Sequence, residues 1–167
     1  VIGGTGSGKT TLVNAIINEM VTQDSSERVF IIEDTGEIQC AAENYVQYHT
    51  SLDVNMTALL KTTLRMRPDR ILVGEVRGPE ALDLLMAWNT GHEGGAATLH
   101  ANNARAGLDR LAMLISMHPD YPKPIEPLIG EAVHVVVHIA RVEGSRRIQE
   151  ILEVSGFANG QYITKTL

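Results

Sequence analysis

The chain has 167 residues with 44% hydrophobic and 20% charged side chains, ordinary proportions for one domain with a real apolar core. No apolar run approaches the ~20 residues that span a bilayer, and the opening carries neither the basic stretch nor the apolar run of a secretory leader. A formal charge of −6 argues against a dedicated nucleic-acid binder, and a single cysteine, Cys40, excludes an internal disulfide or a multi-cysteine zinc site.

The chain opens on Val1-Ile2-Gly3, so only two residues of the strand that normally feeds a glycine-rich loop are present. The expectation is a fragment, residues 1–167 forming one ATPase domain whose first strand is truncated and whose upstream domain lies outside it. Thr10 to Val21 then places Leu12, Ile16 and Met20 at helical spacing. Val29-Phe30-Ile31-Ile32 is a short, wholly apolar strand, as expected where both faces of a sheet are covered. Tyr45 to His49 reads as a strand, and Met56 to Met66 as a helix stopped by Pro68. Arg70 to Gly74 is again a buried strand, ending in Glu75. Glu80 to Asn89 is a helix entered through Gly78-Pro79 and closed by Gly91. Ala96 to Leu99 is a strand ending at His100, and Ala104 to Met117 a long helix. Four prolines make Pro119 to Pro127 a loop, followed by a short helix at Leu128 to Ala132. Val133 to Ile139 pairs with Arg146 to Val154 across Glu143-Gly144-Ser145, and Gly156 to Leu167 holds one more short strand. Alternating helix and strand predicts an α/β fold with a mostly parallel sheet and a β-rich C-terminal hairpin.

Gly3-Gly4-Thr5-Gly6-Ser7-Gly8-Lys9-Thr10 fits the phosphate-loop pattern G-x-x-x-x-G-K-[ST]. Glycines let the backbone curl so that successive N–H groups point at a polyphosphate, and the helix that follows aims its positive end at the same anion. A chance match in a chain this long is roughly one in two hundred. The loop residues Gly4, Thr5, Gly6, Ser7, Gly8, Lys9, Thr10 and Thr11 are therefore the expected contacts to ATP. Lys9 would reach the β- and γ-phosphates, and the Thr10 hydroxyl would ligate Mg²⁺.

Ligands of a parallel α/β sheet bind outside the carboxyl ends of its strands. Glu33-Asp34 with Glu37, Glu75 and His100 sit at three such ends, so all are expected to converge on the loop. Glu75 is the expected water-polarising base; Glu33 and Asp34 would hold Mg²⁺ waters, or Glu37 would share that role. His100 could hydrogen-bond a γ-phosphate. His49, His118, His134 and His138 are read as structural, and Trp88, Met113 and Met117 as packing.

Four blocks together resemble the secretion traffic ATPases. They are Gly3 to Thr11; Ile32-Glu33-Asp34-Thr35-Gly36-Glu37-Ile38; Arg65 to Gly78; and Thr90-Gly91-His92-Glu93-Gly94-Gly95 running into Thr98-Leu99-His100-Ala101-Asn102. They are similar, in the family's order, to its Walker A, Asp box, Walker B and His box. The Gly-His-Glu-Gly-Gly and His-Ala-Asn-Asn stretches resemble the conjugal-transfer, TrbB-like branch. The resemblance implies a RecA-like P-loop domain in a homohexameric ring. Such a ring would sit peripherally on the cytoplasmic face of the inner membrane, and ATP hydrolysis would drive pilus assembly or substrate transfer with other secretion proteins. It implies Glu75 as catalytic glutamate, Glu33 and Glu37 as Asp-box acids and His100 as the His-box residue. Gly74 departs from the broader P-loop pattern, which commonly has an aspartate there, so metal ligation falls on Thr10, waters and the Asp-box acids. Without the upstream domain, weak or no turnover is expected of this piece, with nucleotide binding kept.

Other uses of such a loop fit less well. A kinase would need an arginine-rich lid, and Pro119 to Pro127 offers only Lys123. A DNA motor would need an aromatic-basic platform, and no direct nucleic-acid binding is expected. Intact Lys9 and Glu75 argue against a non-hydrolysing scaffold.

Overall fold

Apolar runs with no polar alternation have to be covered on both faces, and the computed structural model, which describes residues 1–167 in full, shows how this is done. Four parallel strands lie in the order β2 (Tyr45–His49), β1 (Val29–Glu33), β3 (Arg70–Val73), β4 (Ala96–Ala97). Every residue of β1 is buried. Helix α1 (Lys9–Gln23) covers one face, where Val13 and Ile17 pack on Val29, Ile31 and Leu72. Helices α2 (Met56–Thr63), α3 (Glu80–Trp88), α4 (Ala104–Ile115) and α5 (Glu126–Ala132) belong to the larger core on the other side, with Ile32, Ile71 and Val73. Asn55 and Asn103 start α2 and α4 by accepting the amides of Ala58 and Ala106, which supplies partners for otherwise orphaned helix N–H groups.

A second, antiparallel sheet follows: β5 (Val135–Val142), β6 (Ser145–Ala158) and β7 (Gln161–Thr166). Val1 and Ile2 join it to the first. Ile2 bridges Leu99 on one side and His138 on the other, both in parallel sense. The Leu99 amide donates to the Val1 carbonyl at 3.0 Å, and the Ile139 amide to the Ile2 carbonyl at 3.0 Å. This seam puts the loop that follows Ile2 between the tip of β4 and the β5–β6 hairpin. No helix is long and apolar enough to cross a membrane.

Several elements differ from their sequence reading. The buried side of α1 is Val13 and Ile17, not Leu12, Ile16 and Met20, because the sheet lies over the former pair. Regular pairing of β4 stops at Ala97. Thr98 instead donates its hydroxyl to the Gly74 carbonyl at 2.6 Å, and its own carbonyl accepts the Val76 amide at 2.9 Å. α2 tightens into a 3₁₀ turn at Leu64–Met66 before Pro68. α5 starts at Glu126, with Pro127 in its first turn where no amide is needed. The C-terminal hairpins are longer than expected, each closed by two residues of positive φ, Glu143-Gly144 and Asn159-Gly160.

Candidate functional site

The phosphate loop leaves Ile2 and enters α1 through Gly8, whose φ of 99° is a left-handed conformation that favours glycine. Lys9 is only 8% exposed. Its stem is buried and its ammonium donates to the carbonyls of Gly3 at 3.1 Å and Gly4 at 3.0 Å. Burial pulls its pKa below the ordinary lysine range, aided by Arg77 and opposed by Glu75 and Glu37. Thr10, one residue on, gives its hydroxyl to Oε2 of Glu37 at 3.1 Å.

Glu33 ends β1 and is 2% exposed. Its Oε2 accepts the amides of Glu37 at 3.0 Å and Ile38 at 3.1 Å, while Oε1 accepts Nε2 of Gln47 from the neighbouring β2. His49 Nε2 lies 3.7 Å from the same oxygen. Both carboxylate oxygens are thus occupied by protein donors, and they hold the loop that carries Glu37. The Glu33 side chain also accounts for Gly74. A Cβ on Gly74 would lie 2.7 Å from the Glu33 Cβ, closer than such atoms approach, so the position has no room for an aspartate.

Past β3, Glu75 points into the same space. Its Oε2 accepts Nη2 of Arg77 at 2.8 Å, and Nε2 of His100 lies 2.9 Å from its Oε1. Burial pushes the Glu75 carboxyl upward, but the Arg77 hydrogen bond and the charges of Arg77, His100 and Lys9 outweigh it, and the pKa lies below the usual value. Arg77 also reaches Oδ2 of Asp34 with Nη1 at 3.3 Å.

These groups enclose a cleft of about 330 Å³ in which no lining residue is hydrophobic. Thr5, Gly6, Lys9, Thr10, Glu33, Glu37, Glu75 and His100 all line it. Gly4, Ser7 and Gly8 frame it without lining it, and Thr11 faces solvent outside it. The Ser7 hydroxyl is buried with no protein partner. A cavity of about 400 Å³ beside Val1, Ile16, Met20 and Trp88 is apolar and holds none of this chemistry. No group of three or more His, Cys, Asp or Glu is placed to hold a metal by itself.

Two arginines escaped the sequence reading. Arg77 stands two residues after Glu75, a spacing that could have drawn notice. Arg146, the second residue of β6, donates from Nε to the Gly6 carbonyl at 3.3 Å, its Cδ lying 2.7 Å from where a Cβ on Gly8 would be. No local signal marks Arg146, because 140 residues separate it from the loop it covers.

The family model for Type II/IV secretion system proteins matches residues 1–161. The conjugal transfer protein TrbB of Rhizobium radiobacter is 53% identical over 163 residues, covering 98% of this chain and 50% of that protein. Among solved structures, the VirB11 ATPase of the Brucella suis type IV secretion system, in complex with sulphate, superposes with a TM-score of 0.83 at 34% identity, over 90% of this chain and 46% of that one. The Legionella pneumophila ATPase DotB superposes with a TM-score of 0.68 at 26% identity, over 88% of this chain and 42% of that one. The chain spans about half the length of the curated relatives it matches. With the cleft built on strand ends and loop in this way, and the match running nearly end to end, the chain belongs to the Type II/IV secretion system protein family.

Proposed function

We propose that the chain is the ATP-hydrolysing core of a motor for conjugal DNA transfer or type IV secretion, and that the polar cleft is its nucleotide site. The observation that carries this reading is the meeting, in one cleft, of the phosphate loop with Glu75 and His100 from two separate strand ends. The names of the VirB11 and DotB ATPases support the reaction, and that of TrbB supports conjugal transfer as the process.

Lys9 rests on two loop carbonyls, and a polyphosphate would take over its ammonium as the better partner. The loop amides and the start of α1 then hold the phosphate chain. Thr10 and Glu37 offer adjacent hard oxygens, which suits Mg²⁺, an ion that keeps its waters and binds through few protein ligands plus phosphate. Bound there, Mg²⁺ would neutralise phosphate charge. Glu33 fits a bracing role better than a metal contact, since its oxygens already hold the Glu37 segment. Glu75, kept ionised by its neighbours, orients and polarises the attacking water, and His100 fixes the carboxylate from its other oxygen. The ring is a homohexamer at the cytoplasmic face of the inner membrane, worked with other secretion proteins and a further domain upstream.

The test is nucleotide binding and ATP turnover of the whole protein, wild type beside Lys9→Ala and Glu75→Gln. Lys9→Ala loses binding; Glu75→Gln keeps it and loses turnover by at least about a hundredfold. Wild-type turnover in Glu75→Gln would remove that residue from the chemistry.

A further inference from the structure

Resting on the nucleotide-site reading above, we infer that Arg77 is a switch that pairs with Glu75 and Asp34 and transfers to the terminal phosphate of a bound triphosphate, leaving the Glu75 carboxylate without its cation. Arg77 spans the cleft wall, with Nη2 on Glu75 at 2.8 Å and Nη1 on Asp34 at 3.3 Å. Its side chain is 64% exposed, against 19% for Glu75, so packing does not hold it in place. Only these two ion pairs do.

Lys9 and Arg77 are both held by protein acceptors. Lys9 sits on two carbonyls and Arg77 on two carboxylates. A guanidinium fork matches phosphate oxygens bidentately, and a terminal phosphate carries more charge than either carboxylate. It therefore competes well for Arg77. The exchange has a consequence at Glu75. Oε2 of Glu75 is paired with a cation, and that pairing draws charge from the carboxylate and weakens it as an acceptor from water. Departure of the guanidinium leaves Oε2 without its cation, a stronger acceptor beside the bound phosphate. A diphosphate, lacking that terminal group, leaves Arg77 where it is.

The experiment is equilibrium titration of the whole protein with fluorescent ADP and a fluorescent non-hydrolysable ATP analogue, comparing wild type, Arg77→Gln, Glu75→Gln and the double variant. Arg77→Gln is expected to weaken the triphosphate about tenfold, the size of one charge-assisted hydrogen bond, with ADP within about twofold. Glu75→Gln, which removes the charge that draws the guanidinium, is expected to tighten the triphosphate by about threefold or more, and this gain disappears in the double variant. A merely structural Arg77 would move ADP and triphosphate together. That result, or a gain from Glu75→Gln that persists without Arg77, overturns the switch. If wild type binds neither nucleotide, the nucleotide-site reading itself fails, which is a different outcome from equal shifts in a protein that binds both.

Discussion

Substituting Glu33 by glutamine separates bracing from chemistry. Glutamine keeps the shape but only one acceptor oxygen. Turned toward the amides of Glu37 and Ile38, that oxygen leaves an NH₂ facing Nε2 of Gln47, a second donor. Turned the other way, the NH₂ faces the two backbone amides. Gln47 cannot correct this by flipping, since its Nε2 also donates to the Ile38 carbonyl at 3.1 Å. At least one buried donor is left without a partner, at about 1–3 kcal/mol, and the surviving bonds lose the carboxylate's advantage, so the total is about 2–4 kcal/mol. At about 2–4 °C per kcal/mol for a domain of this size, the Tm falls by about 4–16 °C. Thermal and urea denaturation measure the loss, with ADP binding followed in parallel. Binding is expected to weaken with stability, because the segment Glu33 holds is the one that carries Glu37. A Glu33→Gln protein that melts within a degree of wild type yet has lost turnover would refute the bracing argument and return Glu33 to the chemistry.

Three further outcomes follow from the same contacts. Gly74→Ala places its Cβ 2.7 Å from that of Glu33, an overpacking that costs about 1–3 kcal/mol; an unchanged urea midpoint would show that the two strands can part. Tyr162 is buried with an unpartnered hydroxyl, and burial first, then Glu126 and Asp109, raise its pKa from 10.0 to about 12. The folded state therefore holds the proton more tightly than the unfolded chain, so this contribution is complete below pH 10.0 and lost as pH climbs towards 12. Tyr162→Phe is expected to leave stability at neutral pH unchanged or raised and to remove that alkaline limb, read by denaturation at a series of pH values; loss of stability at neutral pH would mean the hydroxyl has a partner. Arg146→Ala, at an exposed position, changes stability by no more than about 0.5 kcal/mol but lowers ADP affinity about threefold to tenfold, less at high salt. Equal affinities at low salt would show that the strap over the loop does not sense the anion.

What the sequence determined by itself was whatever depends on neighbours along the chain. The phosphate loop is eight consecutive residues, and its helix starts at Lys9 because Gly8 can adopt a conformation that other residues resist. The unbroken apolar runs of β1 and β3 specify a sheet covered on both faces, and chemistry-bearing residues placed just beyond such runs, Glu33, Glu75 and His100, arrive at one edge because parallel strands share a direction. Asn159-Gly160 is also a local signal, a strong hairpin turn that joins β6 to β7 in a tail whose composition alone reads as one short strand.

Tertiary structure alone decided how those residues divide the work. Nothing local distinguishes Glu33, spent on three donors, from Glu37, facing Thr10 four residues later. Nor does any local pattern say that Gly74 stays small because a glutamate on the adjacent strand fills its space. The buried side of α1, the seam through Ile2 and the reach of Arg146 across the loop likewise depend on pairings between distant segments. Spacing within a strand or helix is set by backbone geometry and is legible in order. Which carboxylate meets an amide, a guanidinium or a hydroxyl is set by packing in three dimensions, where separation along the chain carries no information.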